Sequence, residues 1–596
     1  MERVHRFVAV VAIAFLAACG GGGGGGGDVA PALSSAGASA NLNLTLPTSA
    51  PAPGLTAAPF AYMSAGTAPG SFQGAIAASA STGIIINVSG DIVTDNNGTN
   101  ANLSPGSVAV KVGTSATTFA HSGAREVPAA GRSTPQSAGV SAPLTDRLDD
   151  PAIEREIVAL SRSAQRTTRR GGLGLRRPQG LGTTIGSIAS FTVNTNAIGT
   201  NGAGQTTTVP AGLVAVSNHG YIWVDSTLTM STATAAAIGN DFDIAYASDT
   251  THFGTPEYTS AAPEAQLSRT PCDASGNPIP GASPVPLIIP PPNGMHVVLI
   301  VSEHTLGSGV GGYFSSTNFF TQAIANCISG HPASNEASMI VIGYDPLQQT
   351  AFETQEALAR GTAHEFQHLI NFVNHTVLSQ TPATEDRYIN EGLSVLAQDF
   401  ALSAQFPQLT NDVDFMQPVV ADFFTSPSHF SLTGFTGVDP NATAFAFNCL
   451  GCYGQAYLFQ RYLYDRFGGD AYTHAMESGG GVGMTNLQAA TGITLTQAIS
   501  DFAVALAASG HGVVTDPRYN FVHFHPVGIF FDQFGNSVSL QGPFMFAATP
   551  GTTDTLTPYL GTFFYVQVQA ARGAGAGITV TDTSGNFALT SGLLQF

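Results

Sequence analysis

The sequence predicts an α+β fold in which a mixed β-sheet is followed by helices. Runs of β-branched and aromatic residues, bounded by Gly, Asn and Pro, lie between residues 186 and 347 and are typical of strands. Longer segments with helical periodicity follow them, between about residues 353 and 509. Short strand-like runs return after residue 516. Strands followed by helices favour α+β over an alternating α/β architecture.

The chain begins with a segment typical of an exported lipoprotein. Arg3 and Arg6 precede an apolar run from Phe7 to Ala18, which is too short to span a bilayer but suits a signal peptide. The run ends in "LAAC", which resembles the lipobox of bacterial lipoproteins and implies lipid attachment at Cys19. The alternative is an ordinary signal peptide with a chance cysteine. We expect residues 1–19 to be the signal peptide, and the protein to be anchored at the cell envelope, on the outer membrane or cell surface, or released from it.

Two low-complexity regions follow. Residues 20–50 begin with eight glycines and predict a flexible tether. Residues 51–180 are predicted to be a low-complexity pro-region or a small β module, with strands in "GIIINVSG" and "SVAVKVG" and a helical pattern over 146–162. This region ends in an arginine-rich linker, which is either a maturation site or a solvated basic loop.

Residues 181–515 are predicted to form the main domain. Its expected strands are "GSIASFTVNT", "GLVAVSNHGYIWVDS", "GMHVVLIVSEH" and "ASMIVIGYDPL". Its expected helices are Glu353–Val377, Tyr388–Leu402, Tyr453–Phe467 and Thr494–Ser509. Residues 516–596 predict a small C-terminal β region, with strands in "FFYVQVQA", "GITVTD" and "FALTS".

The composition limits the classes of partner that the protein is expected to bind. Only 10% of the 596 residues are charged and the net charge is −19, which argues against nucleic acid. No later segment is apolar enough to span a membrane, so we expect membrane contact only through Cys19. We also expect the protein to be a monomer.

The other four cysteines suggest two disulfides, for which three pairings are open. We favour Cys272–Cys327 and Cys449–Cys452, because the second pair is separated by only two residues.

The segment "GTAHEFQHLINF" contains the pattern H-E-x-x-H. On a helix His364 and His368 lie one turn apart, so both imidazoles can reach one zinc ion, while Glu365 can reach a water on that ion. The pattern alone also fits two polar residues on an ordinary helix. Glu391, which begins a second amphipathic helix in "YINEGLSVLAQDF", supplies a third ligand; its alternative role is to complement the helix dipole. Together the two features predict a catalytic Zn²⁺ site of His364, His368 and Glu391.

Three segments together resemble the hyicolysin family of zinc metallopeptidases, in the thermolysin-like group with glutamate as third ligand: "AHEFQHLINF", "INEGLS" and "YGQAYLFQRYLYDRFGGD". The resemblance covers about residues 185–510. It implies a thermolysin-like peptidase domain, the same three zinc ligands and Glu365 as general base. Thermolysin carries an aspartate four residues after its ligand glutamate, whereas this chain has Val395 there, with Asp399 the nearest acid. The hydrogen-bond partners of the zinc histidines are therefore open.

The expected function is a zinc-dependent endopeptidase that hydrolyses protein or peptide substrates outside the cytoplasm, with Glu365 as general base. Tyr453 and Tyr457 are candidate donors to the oxyanion, because a phenol stays protonated at neutral pH; His429 and His474 are further candidates. The resemblance also implies that the strand Met339–Tyr344 is an edge that pairs with the substrate; the alternative is an ordinary internal strand. The alternatives are an aminopeptidase and a catalytically idle adhesin or binding lipoprotein.

Overall fold

The structure is a computed structural model. It describes residues 40–41, 61–64, 71–76, 82–89, 91–92, 106–113, 151–163, 165–166, 181–195, 205–256, 267–289, 291, 294–306, 311–344, 351–379, 381–405, 413–437, 450–479, 481–508, 517–531, 537–548, 551–559, 561–569, 576–584 and 589–595.

The described strands have the following bounds: β1 Ala40–Asn41, β2 Ala61–Ser64, β3 Ser71–Ile76, β4 Thr82–Ser89, β5 Asp91–Ile92, β6 Val108–Val112, β7 Gln165–Arg166, β8 Ile188–Thr195, β9 Gln205–Val216, β10 Gly220–Asp225, β11 Leu267–Arg269, β12 Val285–Pro286, β13 His296–Ser302, β14 Gly312–Phe314, β15 Met339–Tyr344, β16 Phe430–Ser431, β17 Thr436–Gly437, β18 Val527–Phe531, β19 Ser537–Gln541, β20 Met545–Ala547, β21 Thr553–Leu556, β22 Phe563–Gln569, β23 Ala576–Asp582 and β24 Leu589–Gln595. The strands predicted from the sequence are among them, except that "GLVAVSNHGYIWVDS" does not form one strand: it is divided between β9 and β10, which pair antiparallel across the connection 217–219.

The described α-helices have the following bounds: α1 Pro151–Ser163, α2 Thr232–Phe253, α3 Glu303–Leu306, α4 Gln322–Ala325, α5 Ala351–Phe372, α6 Arg387–Gln405, α7 Val413–Thr425, α8 Leu450–Arg466, α9 Asp470–Ser478, α10 Gly483–Thr491 and α11 Leu495–Ala508. A π-helical segment, Val373–Leu378, continues α5, and 3₁₀ turns occur at Ser316–Phe319, Pro427–His429 and Pro517–Tyr519. The four predicted helices of the main domain correspond to α5, α6, α8 and α11 and are confirmed. Helix α2 was not predicted, since its apolar residues surround it without a clear amphipathic stripe.

The chain divides into two compact units that do not follow the predicted domain boundaries. The first unit contains the described residues of 142–410 and 470–486, and the second contains those of 27–141, 411–469 and 487–596. Two helices assigned from sequence to the main domain, α8 and α11, therefore belong to the second unit. The predicted regions 51–180 and 516–596 are also not separate, because strands from both form the same sheets. Pairing between distant strands leaves no local signal in the sequence, which explains the difference.

The first unit is built on a six-stranded mixed sheet of order β14-β15-β13-β10-β9-β8. Strands β10, β13 and β15 run parallel, while β8, β9 and β14 pair antiparallel with their neighbours. The central strands read as continuous apolar runs because both faces of the sheet are buried. Met339–Tyr344, the expected substrate-binding edge, is internal: β15 is hydrogen-bonded to β13 on one side and to β14 on the other. The terminal strand of the described sheet on this side is β14.

Helices α2, α5 and α6 pack together in the first unit. Small residues, Ala245, Ala363 and Ala401, meet where the three helices are in contact and allow their backbones to approach closely. Phe366 of α5 packs edge-on against Phe242 of α2, with ring centroids 5.4 Å apart. Helix α5 also contacts strands β14 and β15. The helix that carries the H-E-x-x-H pattern is thus held between the sheet and two other helices.

The second unit contains two facing antiparallel-rich sheets. One has the order β2-β24-β4-β22-β20 and the other β21-β6-β23-β3. Their shared core contains Val110, Phe564, Val566, Val580 and Leu593, which come from both sheets and from both ends of the chain. This is the arrangement of a β-sandwich. Strand β4 lies between β22 and β24, so the N-terminal region contributes a central strand.

Two further expectations concern cysteines and membrane segments. The predicted disulfide Cys272–Cys327 is present and lies within the first unit. Cys452 is also disulfide-bonded; its predicted partner Cys449, like Cys19, lies outside the described residues. Among the described residues no single helix is long and apolar enough to cross a membrane, and only α10 and α11 taken together, with a bend of 73°, meet the same criteria.

Candidate metal centre

Helix α5 brings His364 and His368 together. The two residues are four apart, so their rings lie on one face of the helix, with centroids 4.8 Å apart. Glu391, in the first turns of α6, faces them. Its Oε2 atom lies 3.5 Å from Nε2 of His364 and 3.6 Å from Nε2 of His368. The structure therefore brings together the three residues predicted as zinc ligands.

These three side chains can hold a metal ion. One ligand atom from each lies within 4.8 Å of the others, and within the described residues this is the one group of three or more His, Cys, Asp or Glu side chains that meets that test. Separations of 3.5 and 3.6 Å between ligand atoms suit a shared ion at roughly 2.0–2.2 Å from each.

The ligand atoms are also unsatisfied. Nε2 of His364, Nε2 of His368 and both carboxylate oxygens of Glu391 are buried and have no hydrogen-bond partner in the described part of the chain. The three residues are 0–2% exposed. Buried polar atoms without partners are costly, so three converging ones point to a bound ion. The residues present thus fit the predicted metal.

The electrostatics of the group follow from burial and mutual contact. Burial lowers the pKa of His364 to about 4, although contact with Glu391 opposes this. Burial also acts to lower the pKa of His368, but the charges of Glu391 and Glu365 and the contacts with Glu391 and Asn390 together outweigh it and raise that pKa. For Glu391 burial acts to raise the pKa, and the charges and close contacts of His368 and His364 together lower it overall. A bound divalent ion would compete with protons for these same atoms.

His368 is oriented by two residues of α6. Its Nδ1 lies 3.0 Å from Oδ1 of Asn390 and 3.0 Å from Oγ of Ser394. When Nε2 faces a metal, Nδ1 carries the proton and donates it. Asn390 and Ser394 therefore act as acceptors and hold the ring with Nε2 toward Glu391.

His364 is oriented by Gln398, also on α6. The side-chain amide nitrogen of Gln398 lies 2.6 Å from Nδ1 of His364, while its Oε1 has no hydrogen-bond partner among the described residues. Because a metal-facing Nε2 requires a proton on Nδ1, the amide must present its oxygen to His364. A rotation of the amide by 180° achieves this without moving other atoms and leaves its NH₂ group on the opposite side.

These partners were not predicted from the sequence. Val395, at the position where thermolysin carries an aspartate, is buried and apolar. The actual partners, Asn390, Ser394 and Gln398, are spaced four residues apart and form one buried polar stripe along the helix. That stripe, read against the neighbouring H-E-x-x-H helix, is the signal that could have identified them.

Glu365 is buried beside the edge of the sheet. A Cβ atom built onto Gly312 of β14 would lie 3.4 Å from Oε1 of Glu365 and only 2.8 Å from the carbonyl oxygen of Val341. The close approach of β14 to the backbone of β15 at this point therefore requires glycine at residue 312, and Glu365 lies next to it. The carboxylate thus lies between the metal ligands on its own helix and the terminal strand of the sheet.

The structure does not bring the predicted oxyanion donors together with the ligands in one unit. Tyr453 and Tyr457 lie on α8 in the second unit. Both are buried, and each packs edge-on against an aromatic ring, Phe435 for Tyr453 and Phe524 for Tyr457. Their catalytic role remains a prediction.

His474 and His429, the two histidines considered as alternative oxyanion donors, are no better supported in that role than the two tyrosines. The Nε2 atom of His474, in the first unit, lies 2.8 Å from the carbonyl oxygen of Thr251. The ring of His429, in the second unit, packs against Tyr559 with centroids 5.2 Å apart.

No protein-family model matches the chain, and no curated protein is significantly similar to it.

Proposed function

We propose that this chain is a zinc-dependent endopeptidase with a thermolysin-like catalytic arrangement. The observation that carries the proposal is the convergence of unsatisfied, buried ligand atoms from His364, His368 and Glu391, with Glu365 directly adjacent in sequence. Three protein ligands with a neighbouring carboxylate are typical of catalytic zinc sites, which keep a fourth position for water or substrate.

His364, His368 and Glu391 would hold the ion. A bound zinc supplies Lewis-acid activation of water and of a peptide carbonyl. Glu365 accepts a proton from the attacking water and passes it to the leaving amine, which makes it first the general base and then the general acid. Asn390, Ser394 and Gln398 hold the ligand imidazoles in the tautomer that leaves Nε2 unprotonated.

The proposed substrate is an extended peptide. Strand β14 ends the described sheet and lies close to Glu365, so a peptide added alongside it would present its backbone near the base. Recognition through backbone hydrogen bonds suits cleavage of internal peptide bonds in varied proteins. With lipid attachment at Cys19, the enzyme would act on proteins at the bacterial cell envelope.

The test is metal analysis of the purified full-length chain, combined with digestion of casein and of an internally quenched peptide. We expect about one zinc per chain, hydrolysis that a chelator abolishes and zinc restores, and loss of both in the variant with alanine at positions 364, 368 and 391. Stoichiometric zinc in that triple variant would refute the site. Zinc binding without any hydrolysis would favour the idle binding protein.

A further inference from the structure

A chain of buried hydrogen bonds leads away from His368 to a carboxyl group on another helix. Nδ1 of His368 lies 3.0 Å from Oγ of Ser394, whose hydroxyl donates to Oε1 of Gln367. Nε2 of Gln367 in turn donates to Oε1 of Glu477 at 2.8 Å. All four side chains are buried. The chain thus connects a proposed zinc ligand on α5 to α9, which the sequence places more than 100 residues later.

Every donor in this chain points in the same direction. Gln367 donates to Glu477 and Ser394 donates to Gln367; with its hydrogen used in this way, Oγ of Ser394 can only accept from Nδ1 of His368. Glu477 also receives the side-chain amide of Asn371, whose nitrogen lies 3.3 Å from both carboxyl oxygens. Burial raises the pKa of Glu477 to about 8, although bonds from Asn371 and Gln367 oppose this. A carboxyl group offers an acceptor oxygen whether or not it is protonated, so the direction does not depend on its charge.

The direction matters because the links can be reversed. Without an acceptor at position 477, the amide of Gln367 would lose the bond that keeps its nitrogen facing away from Ser394. If that amide rotated, its NH₂ group would face Ser394, and the hydroxyl hydrogen would turn either toward the carbonyl oxygen of Asn390, which lies 3.0 Å from Oγ, or toward Nδ1 of His368. In the second orientation His368 accepts at Nδ1 and carries its proton on Nε2, the nitrogen that must be free to bind metal.

We propose that Glu477 is a positioning residue for the metal site: through Gln367 and Ser394 it fixes the tautomer of His368 whose Nε2 is free for the ion. This inference rests on the proposed function only in requiring that the site binds zinc. Asn390 provides a second acceptor at Nδ1 of His368, so loss of Glu477 is expected to weaken the site without abolishing it.

Glu385 provides a matched control. Its Oε2 lies 4.0 Å from Nε2 of His375, and Oε2 of Glu477 lies 3.9 Å from the same atom, so both carboxyl groups belong to one buried cluster. The hydrogen bonds of Glu385, however, come from the backbone of Gly483 and Asp386 and from the side chain of Asn486. Removing Glu385 therefore disturbs the same cluster without breaking the chain to His368.

The experiment compares zinc affinity, measured by competition with a chromophoric chelator, in the full-length wild type and four variants whose folding is checked by circular dichroism. Glu477→Leu removes the acceptor, Glu477→Gln keeps an acceptor oxygen, Ser394→Ala interrupts the chain with a small change in volume, and Glu385→Leu is the control. The visible absorption of the Co²⁺-loaded proteins reports the ligand geometry independently of activity.

We expect Glu477→Leu and Ser394→Ala to bind zinc about 10–100-fold more weakly, as is typical when the hydrogen-bond partner of a metal-binding histidine is lost. Glu477→Gln and Glu385→Leu should stay close to the wild type. If Glu477→Leu does not fold, Gln367→Leu, which breaks the same chain without removing a direct partner of His368, takes its place.

Wild-type zinc affinity in both Glu477→Leu and Ser394→Ala would overturn the inference while leaving the metal site intact. Where Glu477→Leu does not fold, wild-type zinc affinity in both Gln367→Leu and Ser394→Ala would overturn it. An equal loss in Glu385→Leu would also overturn it, as would a full loss in Glu477→Gln. A wild type that binds no zinc would refute the proposed function, and the positioning role with it.

Discussion

Replacing Glu365 with glutamine tests the proposed chemistry most directly. The substitution keeps the shape of a side chain that is only 2% exposed and removes its ability to accept a proton. Glu365 is not among the ligand atoms that converge on the candidate ion, so zinc content and folding should be unchanged. The loss should therefore appear in kcat with little change in KM.

The expected magnitude follows from the role and the surroundings of the carboxylate. General base catalysis typically contributes 10²–10⁴-fold, or about 2.7–5.4 kcal/mol in the barrier. Glu365 is only 2% exposed, so bulk water cannot readily replace it as proton acceptor, and the loss should lie in the upper part of that range. Glu365→Asp keeps the carboxylate but withdraws it by one methylene, and a displacement of about 1 Å can cost ~10²-fold.

The assay is steady-state hydrolysis of an internally quenched peptide by wild type, Glu365→Asp and Glu365→Gln, each with its zinc content measured. Activity is expected to fall in that order at constant zinc content. Turnover of Glu365→Gln within tenfold of the wild type, with zinc retained, would show that Glu365 is not the base. Loss of zinc in Glu365→Gln would instead show that it contributes to binding the ion.

Three further predictions concern stability. Gly312→Ala should lower the free energy of unfolding by about 1–3 kcal/mol and reduce activity, because its Cβ would lie 2.8 Å from a carbonyl oxygen of β15; Gly212→Ala in the same sheet, whose Cβ meets nothing closer than 3.9 Å, should be nearly neutral in urea unfolding, and equal effects would contradict the steric reasoning. Burial raises the pKa of Glu385 to about 7 and of Glu477 to about 8, so the folded chain keeps protons that the unfolded chain releases above about 4.5. The free energy of unfolding should therefore fall as pH rises toward 8. The fall should be clearest above pH 6.5, because below that pH the buried His375, with its pKa lowered to about 4, acts in the opposite direction. Urea unfolding at several pH values should show a weaker fall in Glu477→Gln, and a profile identical to the wild type would contradict this. Deleting the chain through residue 113 removes β4 from between β22 and β24 and three buried valines of β6 from the sandwich core; since each buried valine contributes ~1.5–3 kcal/mol, the second unit should not fold, and a protease-resistant second unit in the truncated protein would contradict the strand pairing.

The local elements could be predicted from the sequence because their signals are local. Runs of β-branched and aromatic residues identified β13, β15 and β22, and helical periodicity identified α5 and α6 within a few residues of their ends. The spacing of His364 and His368 fixes their relative position on any helix. Glu391 could be added because a glutamate in the first turn of the next amphipathic helix is only a short loop away.

Tertiary structure decided which distant segments meet. The strands of residues 61–112 pair with those of 545–595, so the predicted N-terminal and C-terminal regions form one unit. Strand β14 rather than β15 ends the described sheet. The sequence did not predict β14, because a three-residue strand is too short to give a periodic signal. The partners of the metal histidines include Gln398 and, through Gln367, Glu477. Hydrogen bonds between helices depend on which faces pack together, and packing is set by the whole core rather than by any local pattern of residues.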